Sequence, residues 1–98
     1  MAGVVPPDDT EVVKRTHKAA EQGIASAQLF LASMYYVGRG VSQDYIQAHM
    51  WANLSASTTT GKEHDMAVGC REQVAKKMTP AQITEAPRLA TEWMAKRK

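Results

Sequence analysis

Apolar residues recur every three or four positions along most of the chain, and this period predicts amphipathic helices. The two clearest patterns lie on either side of the segment Gly38-Arg39-Gly40. In each of them small and apolar residues form one stripe, which is Ala27, Leu31, Met34 and Tyr35 before the segment and Tyr45, Ala48, Trp51, Ala52 and Ser55 after it. Gly38 stands where a helix C-cap needs a positive φ, and Ser42 can cap the next helix. A helical hairpin with small residues at its seam is therefore predicted.

Five helices are expected from this periodicity together with the capping residues. The predicted ranges are 10–22, 25–37, 43–57, 63–77 and a fifth helix after Thr79. Residues 79–82, Thr-Pro-Ala-Gln, have the form of a capping box. Pro87 removes the hydrogen bond to the Ile83 carbonyl, so a kink or a break is predicted there. The expected buried faces are Met66, Ala67, Cys70, Val74 and Met78 on the fourth helix, and Ile83, Ala86, Ala90 and Trp93 on the fifth.

Two parts of the chain align with each other at a shift of 36 residues (56 − 20), which places Ala19-Ala20 over Ser55-Ala56. The same shift places Arg15 over Trp51, so the earlier copy lacks the tryptophan. A repeat of this length is typical of a helical solenoid, in which neighbouring repeats cover each other's apolar faces. The junction at 57–61 is expected to be two residues longer than its earlier counterpart, and the match between copies fades beyond it.

The repeated region resembles the Sel1-like repeat, a relative of the tetratricopeptide repeat. The matching residues are Ala19, Ala20, Gly23, Ala27, Gln28, Leu31, Met34, Tyr35, Gly38, Arg39, Gly40, Val41, Asp44, Tyr45, Ala48, Trp51, Ser55 and Ala56. Ala32 and Ser55 depart from the usual Gly and Ala of that family, but both are small enough to allow close packing. The segment MTPAQITEAPRLATEW is similar to the terminal segment that follows the last repeat in many bacterial members.

The resemblance implies an all-α fold of antiparallel helical hairpins, stacked as a short α/α solenoid of about five helices. The 98 residues are expected to form a single domain. Its expected parts are an irregular N-terminus (1–9), a repeat region (10–61) and C-terminal capping helices (62–98).

Composition narrows the possible functions further. The chain is 44% apolar and 22% charged, as in globular proteins, and its net charge of +2 does not suggest a nucleic-acid partner. No apolar segment long enough to span a membrane and no signal peptide are evident, so a cytoplasmic location is expected. The alternative is a periplasmic or secreted protein whose leader was removed, since many members of the family are exported.

No catalytic residue, metal ligand or cofactor is expected. The three histidines are His17, His49 and His64, and none has the spacing of a metal-binding pair on one helix. His49 is expected to lie away from the seam. Cys70 is the single cysteine, which excludes an intrachain disulfide and a cysteine-based zinc site, and its thiol is expected to be buried and inert.

The candidate partner-binding residues are Phe30, Ser33, Val37 and Arg39. The first three continue a stripe that begins at Ser26 and runs beside the seam of the second helix. The resemblance implies that this helix lines a concave surface, where Phe30 would suit an extended or helical peptide. Phe30 could equally pack against the first or fourth helix. The expected function is a non-catalytic adaptor or scaffold module that binds a protein or peptide.

Two alternatives accompany this expectation. Some cysteine-rich relatives have been described as β-lactamase-like, but they carry paired cysteines whereas this chain has Cys70 alone, so no hydrolytic activity is expected. The second alternative is self-association, because fewer than three repeats are short for a solenoid. A homodimer could form at the first helix, or the helix that contains Pro87 could exchange between two chains.

Overall fold

The computed structural model describes residues 9–96, and this part of the chain forms α-helices without any β-strand. The helices are α1 (Asp9–Glu21), α2 (Ala25–Val37), α3 (Tyr45–Ser57), α4 (Gly61–Ala75) and α5 (Pro80–Lys96). The predicted all-α fold is confirmed, and α2 has the predicted bounds. Helix α3 begins two residues later than predicted, and α4 lies two residues earlier. Apart from Asp9, the N-terminal segment predicted to be irregular lies outside the described residues.

The helices repeat with the period found in the sequence. Helices α1 and α3 begin 36 residues apart, and so do α2 and α4, while α5 begins 35 residues after α3. The turns 22–24 and 58–60 both have three residues, so the prediction of a longer second junction was wrong. The Thr59 hydroxyl donates to the Ser55 carbonyl at 2.8 Å, which closes the turn early and leaves Gly61 as the first residue of α4. The hairpin α4–α5 therefore follows α2–α3 in the same spacing.

Helix α3 is the centre of the fold, because α2, α4 and α5 all pack against it. The residues of the predicted seam lie on only one face of α3, whereas other faces of this helix are buried too. Its buried residues are Ala48, His49, Met50, Trp51, Ala52, Leu54, Ser55 and Ala56. Residues outside the predicted seam are buried as well, because α4 and α5 cover the remaining sides of this helix.

Close packing at the seam of α2 and α3 depends on small side chains. Ala32 and Ala52 are fully buried, so the alanine at position 32 is small enough where Sel1-like repeats usually have glycine. Ser55 has a further contact, because its hydroxyl donates to the carbonyl of Ala25 at 2.9 Å. This hydrogen bond satisfies a buried hydroxyl and links the end of α3 to the start of α2.

Aromatic side chains connect the second helix of one hairpin to that of the next. Trp51 on α3 is almost completely buried, and its ring meets that of Trp93 on α5 edge to face, with 5.2 Å between centroids. The ring of His17 on α1 also meets that of Trp51 edge to face, with 5.6 Å between centroids. Edge-to-face pairs of this kind add to the stabilisation from burial. Trp51 thus contacts side chains of both α1 and α5.

The segment Gly38-Arg39-Gly40 packs against α1. Gly38 ends α2 with a φ of 77°, and its amide donates to the carbonyl of Met34 at 2.8 Å. Gly40 also has a φ of 77°, and a Cβ at this position would lie 2.5 Å from the carbonyl oxygen of Asp9. Glycine at position 40 is therefore required both by the backbone conformation and by the close approach of α1.

Asp44, rather than Ser42, caps α3. A carboxylate oxygen of Asp44 accepts a hydrogen bond from the Gln47 amide at 3.1 Å. The backbone amide of Asp44 also donates to the carbonyl of Tyr35, which fixes the entry to the helix. The predicted cap at Ser42 was wrong because the turn continues for two residues beyond it.

The capping box at the start of α5 is confirmed by two reciprocal hydrogen bonds. The Gln82 amide donates to the Thr79 hydroxyl at 3.2 Å, and the Thr79 amide donates to the Gln82 side-chain carbonyl at 3.0 Å. Helix α5 continues through Pro87, so it does not stop and restart there. Pro87 and Ile83 both lie on the exposed side, where water can bind the Ile83 carbonyl that lacks its usual partner.

The buried face of α5 differs from the prediction at one position. Ala86 and Ala90 are buried and Trp93 is half-buried, as expected, but Ile83 is 40% exposed. Within residues 9–96 no helix has the length and apolar character needed to cross a membrane.

Candidate functional site

A groove of about 690 Å³ lies between α2 and α4, the first helices of the two consecutive hairpins. Each helix contributes one stripe of side chains to it. The lining residues are Ala25, Ser26, Leu29, Phe30 and Ser33 from α2, Glu63, Met66, Gly69, Cys70 and Gln73 from α4, and Ser55 and Thr59 at one end. Because no other helix within residues 9–96 covers this side of α2 and α4, this part of the chain leaves the groove open.

Two large apolar side chains face each other across this groove. Phe30 is 47% exposed and Met66 is 62% exposed. The sequence left open whether Phe30 lies on a binding surface or packs inside the chain, and the structure places it on the groove. The prediction that Met66 is buried was wrong. Helix α4 turns Ala67 and Val74 toward α3, and this orientation leaves Met66 facing α2.

Most of the polar side chains that line the groove are uncharged. The Ser33 hydroxyl donates to the carbonyl of Phe30 at 2.7 Å. The side chains of Ser26 and Gln73 make no hydrogen bond within the described part of the chain. Helix α2 contains no charged residue at all. The groove therefore offers free hydrogen-bonding groups beside apolar surface.

The other two candidate residues lie beyond the groove. Val37 is exposed one helical turn after Ser33, and it is not among the lining residues. The Arg39 side chain turns toward α1, where its Nε donates to a carboxylate oxygen of Asp9 at 3.1 Å. The structure thus brings Phe30 and Ser33 together in one groove but does not bring Val37 or Arg39 there.

The half of the groove that α4 supplies was not predicted from the sequence. The 36-residue shift places Met66 over Phe30 and Gly69 over Ser33, so two of the lining positions of α4 correspond to lining positions of α2. This correspondence can be read from the sequence, but it was not recognised because the similarity between the repeats is weak after position 61. Leu31 and Ala67 are also related by this shift, and both are fully buried.

Cys70 lies in the groove and is half-buried rather than fully buried. Burial raises the pKa of its thiol, so the thiol stays protonated at neutral pH. A protonated thiol is a poor nucleophile and a poor metal ligand. Cys70 is therefore suited to packing, as expected, and not to covalent chemistry.

The histidines serve packing and helix contacts. His49 lies outside the predicted seam and is buried, because α4 covers the side of α3 on which it lies. Burial, and to a smaller extent the positive charge of Arg71, lower the pKa of His49, which therefore stays neutral at pH 7. Nδ1 of His64 donates to the Ala56 carbonyl at 2.9 Å and links α4 to α3. Among residues 9–96 no three His, Cys, Asp or Glu side chains are grouped so as to hold a metal ion.

Comparison with known proteins adds one informative match. No protein-family model matches the chain, and no curated protein matches it. Among solved structures, the chain is similar to the crystal structure of a protective antigen present in uropathogenic Escherichia coli strains, which displays an SLR (Sel1-like repeat) fold. The TM-score is 0.84 and the sequence identity is 31% over 95% of this chain. The chain spans 19% of the length of that protein.

Stacked antiparallel hairpins with a 36-residue period define the class as a helical repeat protein of the α/α solenoid type. Within this class, the residues at the hairpin seam match the Sel1-like repeat in order and spacing, and the fold agrees with the SLR fold. The chain is a Sel1-like repeat protein.

Proposed function

We propose that the chain is a non-catalytic interaction module that binds a protein or peptide in the groove between α2 and α4. The proposal depends on one observation, the exposure of Phe30 and Met66 on facing walls of the same groove. Large apolar side chains that are grouped on a surface usually mark an interaction site. Helical repeat proteins, the class to which the chain belongs, commonly bind partners on such extended surfaces.

The chemistry of the groove supports a binding role over a catalytic one. Its titratable side chains are Glu63, which is exposed, and Cys70, whose thiol has a raised pKa. General acid–base catalysis needs a side chain held in a pocket against the reacting atoms, and Glu63 is exposed. Nucleophilic catalysis needs an activated nucleophile, and the protonated thiol of Cys70 is not one. The β-lactamase-like alternative also lacks the paired cysteines of its relatives, because Cys70 is the single cysteine.

Photo-crosslinking tests the location of the binding site. A photoreactive amino acid is placed at position 30, at position 66 or, as a control, at the exposed position 83 on α5, which does not line the groove. The expected result is the same crosslinked partner from positions 30 and 66 and none from position 83. A crosslinked product of twice the mass of the chain would identify the partner as a second copy.

Affinity measurements with the identified partner then test the two apolar residues. Phe30→Ala and Met66→Ala are each expected to weaken binding about tenfold or more, because they remove anchors from the centre of the groove. Ile83→Ala serves as the matched control, since it also shortens an exposed apolar side chain. The proposal is wrong if Ile83→Ala weakens binding as much as Phe30→Ala does, or if only position 83 crosslinks.

A further inference from the structure

One free negative charge lies at the end of the groove. Glu63 is in the first turn of α4, and its exposed carboxylate makes no ion pair or hydrogen bond within the described residues. The facing wall, α2, carries no charge. A partner that covers Glu63 removes water from its carboxylate, which is unfavourable unless the partner supplies a compensating positive charge.

The free polar groups of the groove favour an extended peptide over a helix, and the length of the groove sets how many residues fit. The lining of α4 runs from Glu63 to Gln73, which corresponds to about 15 Å at the helical rise per residue. An extended chain has backbone N–H and C=O groups free to pair with the side chains of Ser26 and Gln73, whereas a helix bonds those groups internally. About four or five extended residues fit within this length, at about 3.3 Å each.

We propose that the groove selects a short, extended, largely apolar peptide that carries a lysine or arginine at the end lying against Glu63. This inference rests on the function proposed above and adds the chemistry of the ligand. Apolar side chains of the peptide contact Phe30 and Met66. The free side chains of Ser26 and Gln73 hydrogen-bond to the peptide backbone. Glu63 is therefore the residue that determines charge specificity.

If Glu63 serves only to stabilise helix α4, a different experimental result is expected. A carboxylate in the first turn of a helix interacts favourably with the helix dipole, whatever binds nearby. In that case Glu63→Gln lowers the melting temperature slightly and does not change which peptides bind. Peptide preference and thermal stability must therefore be measured on the same variants.

The test uses three pools of capped five-residue peptides that share the same apolar sequences. The pools differ only in the terminal residue, which is Lys, Gln or Glu, and each is made with that residue at the amino end or at the carboxyl end. Binding to the full chain is followed by the NMR shifts of backbone amides near Phe30. The Lys pool is expected to bind about twofold to fivefold more tightly than the Gln pool, and the Glu pool more weakly than both.

Variants of Glu63 assign the preference to this residue. Glu63→Gln is expected to abolish the difference between the pools, and Glu63→Lys to reverse it. The matched controls are Glu72→Gln and Glu72→Lys, since Glu72 is exposed on the same helix but does not line the groove. These controls should leave the preference unchanged. The preference should also weaken as NaCl is raised from about 50 mM to about 500 mM, because exposed charges are screened.

The outcomes distinguish this inference from the proposed function. If the pools bind, and Phe30→Ala abolishes binding, but no charge preference is seen or Glu63→Lys does not reverse it, the inference is overturned and the binding module stands. If no pool shifts the groove amides, the inference of a short peptide ligand is overturned. The proposed function is then judged separately by the crosslinks from positions 30 and 66.

Discussion

Phe30 of α2 and Met66 of α4 lie 36 residues apart, which is one repeat period, and both face the same groove. Their neighbours Leu31 and Ala67 are related by the same period, and both are fully buried. Each helix therefore turns one stripe toward α3 and the adjacent stripe toward the groove. In both repeats, therefore, the first helix has one face that packs against α3 and an adjacent face that lines the groove.

Replacing adjacent residues on α2 should separate these two faces. Leu31→Ala is expected to lower the free energy of unfolding by about 2–5 kcal/mol, because it leaves a cavity in the core. Phe30→Ala is expected to lower it by about 1 kcal/mol or less, because its side chain is nearly half exposed. Urea denaturation measures both values. Equal destabilisation by the two variants would show that Phe30 belongs to the core.

Two glycines should respond in opposite directions to alanine. Gly40→Ala places a Cβ against the Asp9 carbonyl at a positive φ, so a loss of about 1–3 kcal/mol is expected. Gly69 lies inside α4, and a Cβ there meets no atom within 4 Å. Gly69→Ala should therefore stabilise the chain by about 0.5–1 kcal/mol, because alanine favours the helix.

Thermal unfolding monitored by circular dichroism measures both changes. If Gly40→Ala is as stable as the parent chain, the conclusion that position 40 requires glycine is wrong. A loss of stability in Gly69→Ala would indicate that the groove is more crowded than the structure shows.

Most of the fold could be predicted from the sequence because helices have a local signal. The apolar period, the glycine at position 38 and the capping box at Thr79 each depend on residues close together in the chain. Which stripe of a helix is buried depends instead on the neighbouring helices. Met66 and Ile83 were assigned to buried faces for this reason, since periodicity alone does not show where α3 lies relative to α4 and α5.

The candidate site could be predicted only in part. Phe30 and Ser33 lie on α2, where the resemblance to the Sel1-like repeat was strong. Met66 and Glu63 lie on α4, where the sequence similarity between repeats has faded although the spacing of the helices is retained. Arg39 was assigned to the site because it could pair with an acidic group on a partner, and sequence alone does not show that its side chain reaches Asp9 instead.

The choice between two caps for α3 can be tested with a pair of substitutions. Asp44→Ala removes the acceptor for the Gln47 amide, so the free energy of unfolding should fall by about 1 kcal/mol. Ser42→Ala changes an exposed residue two positions earlier, and a change of less than about 0.5 kcal/mol is expected. Both are measured by urea denaturation. A larger loss from Ser42→Ala would restore the original prediction of the cap.

Stability should decrease in mildly acidic solution because of His49. Burial and Arg71 lower the pKa of this side chain in the folded chain below its ordinary value of 6.5. The unfolded chain therefore binds a proton at a higher pH than the folded chain does. The free energy of unfolding is expected to be insensitive to this group well above pH 6.5. It should fall as the pH decreases below that value, by at most about 1.4 kcal/mol per pH unit, until the pH reaches the lowered pKa of the folded state.

The variant His49→Leu isolates this contribution, because leucine is similarly large and does not titrate. Its Cδ atoms also replace a buried Nδ1 that has no hydrogen-bond partner within the described residues, so little stability should be lost at pH 7. Urea denaturation of both proteins between about pH 5 and pH 8 gives two stability curves. The curve of the parent chain should fall below that of the variant, relative to their values at pH 7, as the solution becomes acidic. Parallel curves would show that His49 titrates equally in the folded and unfolded states, and the lowered pKa would then be wrong.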